Sequence, residues 1–160
     1  MQPTLRQHST IPRDLEGTLA GLSEADLDLA RGEGAWTIRE IVHHIVDSYD
    51  TTWHAIAAAI GKPGCRYYLD WYDPANTWTQ VMKYSERPIG PALALLRAKC
   101  DYVAHILEVV PDAGGRWLTL IRVTGEPERK LNVTELLQHL SQHAYQHIDQ
   151  IRFTRDKHGK

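Results

Sequence analysis

LLQHLSQHAYQHIDQI, Leu136 to Ile151, carries three histidines four residues apart: His139, His143 and His147. Around them Val133, Leu136, Leu137, Leu140, Ala144, Ile148 and Ile151 recur at i, i+3, i+4 and i+7, the pattern of an amphipathic helix. At about 100° per residue, the apolar stripe centres near Val133, Leu140 and Ile151. His147 then stands roughly 50° from that centre, His143 about 90° and His139 about 130°. His143 and His147 border the buried stripe, whereas His139 leans toward solvent. Neutral imidazoles four apart on one helix face can share a metal ion. Such pairs also occur simply as the polar flank of a helix, so a third ligand must come from elsewhere.

A chain of 160 residues and 18.2 kDa is expected to form one domain over 1–160 with a core of ordinary size. Its net charge of -2 and pI near 6.5 give no basic excess, so no nucleic-acid partner is expected. The opening MQPTLRQHSTIPRDLEG lacks the apolar run of a secretion signal, and no stretch approaches membrane-spanning length. A cytoplasmic location without membrane contact is the expectation. Cys65 and Cys100 form neither a disulfide framework nor a CxxC site. Nine histidines, and five tryptophans against a single phenylalanine, are the unusual features. Large amphipathic rings suit a pocket with a wet mouth or simply fill a core.

Outward from the histidine helix, four long helices are expected. Residues 1–10 read as a polar, poorly anchored lead. Pro12 then opens a first helix, with Leu15, Leu19 and Leu22 as its stripe and its end near Gly21. Ser23 and Glu24-Ala25-Asp26 can start a further turn. The second long helix begins at Trp36-Thr37, with Thr37 and Glu40 as a capping box, and stops at Gly61-Lys62-Pro63-Gly64. Ile38, Ile41, Val42, Ile45, Tyr49, Trp53 and Ile56 form its buried stripe. His43 and His44 each lie about 130° from the middle of that stripe, on opposite flanks, so periodicity does not choose between them. His43 shares its side with Arg39, Asp47 and Asp50, read as a solvated face. His44 lies where another helix could approach, which favours it.

Residues 61–90 are too long for a tight hairpin and suit a crossover or lid, with Asp73-Pro74 opening a short helix to about Tyr84. The aromatic cluster of Tyr67, Tyr68, Trp71, Tyr72 and Trp78 reads as packing over a bundle end rather than as substrate contact. A third long helix follows Pro91, with Leu93, Leu96, Cys100, Val103, Leu107 and Val110 inward and His105 outward, and ends at Pro111. A short β-like segment and a Gly-Glu-Pro turn lead to the last helix, capped by Asn132 or Thr134 with Glu135 in its first turn. Hardly any strand is expected. The fold class is all-α, a four-helix bundle with a long crossover between helices 2 and 3 and a short extra helix.

WTIREIVHHIVDS (Trp36–Ser48), YLDWYDPANTW (Tyr68–Trp78) and QHLSQHAYQHIDQI (Gln138–Ile151), in that order and spacing, resemble the DinB-like four-helix-bundle superfamily and, within it, its YfiT branch. The resemblance spans nearly the whole chain. It implies a three-histidine divalent-metal site whose ligands fall on His44, His143 and His147, with His139 outside the set. It also implies a homodimer.

Three protein nitrogens with open positions match the catalytic rather than the structural metal pattern. Asp149 is the nearest acid to the histidines and points away from the stripe, and no HExxH, GxSxG or Ser/His/Asp spacing supplies a general base. The resemblance tilts the expected activity toward a low-molecular-weight thiol S-transferase acting on small electrophiles through a metal-bound thiolate, a route tolerant of a missing base. A metal-dependent hydrolase of a small amide or ester is the alternative, and a non-catalytic metal-binding stress-response protein a third reading. Zinc is the first choice of metal and nickel the second, with a low-molecular-weight thiol as cosubstrate. Asp47, Gln146, Gln150 and Tyr145 are candidates to orient a ligand imidazole, each read first as a surface residue.

Overall fold

Two capping boxes set the ends of the helices that carry the histidines. Thr37 accepts from the Glu40 amide while Glu40 reaches back to Thr37, and Asn132 and Glu135 do the same. Both start signals are therefore the ones the sequence predicts. The computed structural model describes residues 2–122 and 127–160. Its long helices are α1 (Gln2–Leu19), α2 (Ile38–Gly61), α4 (Ile89–Val109) and α5 (Val133–Lys157). Each of α1 and α2 packs against both α4 and α5, which gives a four-helix bundle. The middle of the bundle is filled by the inward stripes, including Leu15, Ile41, Ile45, Leu96, Leu107, Leu137 and Ile148. Cys100 is among them, and burial pushes its thiol up to about 12, so it is inert packing.

The first helix corrects the expectation of a loose lead. It runs from Gln2 straight through Pro12, although proline removes one helical hydrogen bond. Tertiary contacts outweigh that loss. His8 is fully buried and hydrogen-bonded to the Tyr49 hydroxyl, Ile11 and Leu15 are fully buried, and Thr10 Oγ1 meets the Tyr145 hydroxyl at 2.6 Å. Gly21, at φ 83°, reverses the chain after the helix. Asp26–Asp28 form the expected extra turn, as 3-10 rather than α.

His43 is the second correction. It is 1 % exposed, not solvated, and Arg39 beside it is 7 % exposed. The flank is covered from outside its own helix: Arg39 binds Asp28 and Glu24, and His43 Nε2 lies 3.2 Å from the Arg87 carbonyl with its ring against Tyr84. Helical periodicity does not register such covering segments.

The connection between α2 and α4 holds β1 (Arg66–Tyr68), a π turn over Pro74–Trp78 leading into α3 (Thr79–Val81), and a 3-10 turn at Tyr84–Glu86. Proline occupies the start of the π turn as expected. The carboxylate of Asp47 on α2 fastens this connection, accepting from Trp78 Nε1 at 2.9 Å and from the Tyr84 hydroxyl. α4 begins at Ile89, two residues before the expected Pro91.

After α4, β2 (Trp117–Ile121) and β3 (Arg129–Asn132) pair antiparallel, and β1 adds to β2 in parallel. This three-stranded sheet is more strand than the sequence suggests. The reason is that β1 is only three residues long and its partner lies some fifty residues away, so no local pattern announces it. The Gly-Glu-Pro turn falls mostly outside the described residues. Among the described residues, no helix is long and apolar enough to cross a membrane.

Candidate metal centre

α2 and α5 lie side by side and project His44, His143 and His147 toward one point. The Nε2 atoms of His44 and His143 are 3.3 Å apart, and those of His143 and His147 are 3.1 Å apart. The i, i+4 spacing on α5 places its two rings on one face, with centroids 4.6 Å apart. His44 enters from the facing helix.

The outer nitrogens fix which way two of the rings present themselves. His147 Nδ1 lies 3.0 Å from Gln150 Oε1, so Nδ1 carries the proton and Nε2 keeps its lone pair. His44 Nδ1 lies 3.3 Å from the Tyr72 hydroxyl, which in turn meets Ser48 Oγ at 3.0 Å. Burial pushes Tyr72 up to about 12, so it remains a neutral hydroxyl. Trp36, one residue before the α2 cap, lays its indole 4.6 Å from the His44 ring and 6.0 Å from that of His147.

Burial first, and the neighbouring imidazoles second, hold His44 down to about 3 and His143 to about 4. His147 is lowered too, chiefly by burial. All three are neutral at physiological pH, the form that ligates metal. Three lone pairs aimed at one point repel unless a cation or shared proton sits among them. At a metal–nitrogen distance of about 2.1 Å, neighbouring imidazole nitrogens stand roughly 3.0–3.4 Å apart. The donor set and its spacing therefore fit a divalent cation.

The histidines form the floor of a cavity of about 220 Å³. Trp36, Leu69, Tyr72, Leu120, Leu131, Leu136 and Leu140 make its largely apolar wall, with Arg122, Arg129 and His139 among the remaining lining. Among the described residues no carboxylate lines it. A concave apolar pocket beside convergent polar groups is the usual form of a small-molecule site.

Of the residues named from sequence, Gln150 does orient a ligand-type imidazole. Asp47 instead holds the α2–α4 connection, and Tyr145 binds Asp14 and Thr10, joining α1 to α5. Gln146 and Asp149 are exposed, and Asp149 pairs with Arg152. His139 lies on the cavity lining with its ring 6.5 Å from that of His143. The aromatic cluster divides: Tyr72 lines the cavity against Trp78 and Trp71, while Tyr68 and Trp71 are exposed. Trp36, Ser48, Tyr72 and the two arginines were not singled out as site residues by sequence reasoning. Only the position of Trp36 next to a helix cap, about two turns before His44, offered a local signal.

A four-helix bundle with three convergent imidazoles beneath a small apolar cavity is the class that fold and site together define. The chain belongs to the DinB superfamily, whose model matches residues 7–151. A protein of Oceanobacillus iheyensis, provisionally named a metal-dependent hydrolase, is 30% identical over 88 residues, covering 55% of this chain and 49% of its own. YfiT of Bacillus subtilis, which bears the same provisional name, is 22% identical over 122 residues, covering 75% of this chain and 58% of its own. The matches therefore span about half to three fifths of these relatives' length. The solved structure of B. subtilis YfiT, described as an unusual four-helix-bundle topology, superposes with a TM-score of 0.85 at 18% identity over 99% of this chain and 87% of that one. That likeness establishes the shared fold.

Proposed function

We propose that this chain is a metal-dependent enzyme acting on a small molecule, with His44, His143 and His147 holding one divalent cation, and that it transfers a low-molecular-weight thiol to an electrophile. The observation that carries this reading is the meeting of three neutral imidazoles, with His143 Nε2 3.3 Å from that of His44 and 3.1 Å from that of His147, at the floor of a cavity that among the described residues has no lining carboxylate. A cation bound there supplies Lewis acidity, lowering the pKa of a thiol or water at its open position. The rest falls to the protein. Gln150 and Tyr72 keep the Nδ1 protons of His147 and His44 and so aim Nε2 inward. Trp36 and the leucine wall exclude water around the reacting groups. A thiol ionised at neutral pH needs no further base, whereas water attack is normally helped by one.

The relatives' names favour a second reading, hydrolysis of a small amide or ester. A non-catalytic metal-binding module is disfavoured by the open cavity above the histidines. Zinc is the first choice of metal and nickel the second. A homodimer in the cytoplasm belongs to the same proposal and is read by light scattering and fractionation.

Elemental analysis of wild type against His44→Ala is the deciding test. About one metal per chain in the wild type and none in the variant supports the site. Thiol-dependent consumption of an electrophile then supports transfer, and thiol-independent ester or amide cleavage supports hydrolysis. Absence of metal after reconstitution with zinc and with nickel would sink the enzyme reading.

A further inference from the structure

The hairpin of β2 and β3 presents one face to the cavity. Its register pairs Leu118 with Leu131 and Leu120 with Arg129. Cross-strand partners share a face, and residues two apart on a strand share it too. Leu118 and Leu120 are the buried positions of β2, and Arg122 continues that alternation by two residues. Leu120, Arg122, Arg129 and Leu131 accordingly all line the cavity. Thr119 and Lys130 take the other face, where Lys130 Nζ rests 3.8 Å from the Trp117 ring centre.

Arg122 and Arg129 are exposed residues of the cavity lining, and two such cations beside an apolar wall attract an anion. Neither Arg122 nor Arg129 has a carboxylate partner among the described residues, while Arg66 pairs with Glu128 and Arg116 with Asp112. Glu128, the immediate neighbour of Arg129, is thus turned to β1 instead. The charges of both arginines reach into the site, where they lower His139 after the larger effect of its burial. No acid lines the cavity to offset them among the described residues.

We propose that the cavity accepts a small organic anion whose carboxylate is held by Arg122 and Arg129, while its other end reaches the three histidines. Guanidinium groups bind carboxylates through paired charge-assisted hydrogen bonds, and apolar walls beside them suit a hydrocarbon body. The inference deepens the proposed function by naming the substrate class, and rests on that reading only for what happens at the histidine end.

The test is calorimetric titration of the protein as purified with linear carboxylates from butanoate to octanoate, each against its primary amide. Wild type is expected to bind at least one carboxylate about tenfold to a hundredfold more tightly than the matching amide, with a preference that shrinks in salt. The double variant Arg122→Gln/Arg129→Gln should lose the preference, and Arg122→Lys/Arg129→Lys should retain its salt-sensitive part. Chelation of the metal before titration should leave it in place. Equal binding of acid and amide by wild type, or no binding of any carboxylate, overturns the inference. So does a preference that survives the double glutamine change but vanishes on chelation, since the anion would then sit on the metal; that outcome leaves the proposed function standing. A preference carried by the arginines in a protein that takes up no metal would do the reverse.

Discussion

His147 Nδ1 and Gln150 Oε1 lie 3.0 Å apart, three residues along the same helix, with the imidazole as donor. The contact selects the tautomer that leaves Nε2 free, and it restricts rotation of the ring. Gln150→Ala is expected to weaken metal binding about tenfold to a hundredfold without altering the fold. Competition with a chromogenic chelator measures the affinity, and far-ultraviolet circular dichroism checks the helices. An unchanged affinity would show that packing alone orients His147.

His43 and His44 are adjacent in sequence and differ in role. His44→Ala, His143→Ala and His147→Ala are each expected to abolish stoichiometric metal binding. His43→Ala should keep the metal yet lower the melting temperature, because His43 is buried against Tyr84 and the Arg87 carbonyl. Metal analysis and thermal melts on the four variants separate these effects.

The metal-free protein is expected to lose stability in mild acid. Burial holds His8 down to about 4 against an ordinary value of 6.5. Between those values the unfolded chain binds the extra proton and the folded chain does not, so stability is complete above about pH 6.5 and falls toward pH 4. His8 alone then accounts for on the order of 3 kcal/mol by about pH 4. His8→Gln should flatten that part of a pH series of denaturant melts. A slope as steep as wild type would place the responsible groups elsewhere.

Asp47 accepts from both Trp78 and Tyr84, and Tyr84 is fully buried. Asp47→Ala leaves the Tyr84 hydroxyl without its acceptor and is expected to cost about 1–3 kcal/mol. In the Tyr84→Phe background the same change should cost less. A double-mutant cycle from urea melts measures the difference, and additive losses would argue against the contact.

Local signals carried much of this structure. The capping boxes at Thr37 and Asn132, the stop at Gly61 to Gly64 and the stripes of α2 and α5 all depend on neighbours within four or so residues. His143 and His147 border the stripe of α5 by the same local spacing, whereas periodicity leaves His43 and His44 equal and the resemblance of WTIREIVHHIVDS points to His44. What stayed hidden depends on distant partners. Pro12 sits inside a helix because His8 meets Tyr49 and Thr10 meets Tyr145. His43 is buried because Arg87 and Tyr84 fold over it. Arg122 and Arg129 look like ordinary charges until the hairpin register turns them to the same side as Leu120 and Leu131.

The histidines stand on α2 and α5, whereas Leu69, Tyr72, Leu120, Arg122, Arg129 and Leu131 come from the connections between helices. Under the proposed function the metal end stands wholly on helices, while the facing wall comes largely from the connections, with Leu136 and Leu140 of α5 completing it. Helix positions answer to core packing and tolerate little change, while connecting segments tolerate substitution and insertion. If the proposed function holds, a lineage built this way can shift its substrate preference largely by revising its connections, and a laboratory seeking new specificity would randomise the hairpin and the segment around Tyr72 first, leaving the bundle as an unaltered chassis.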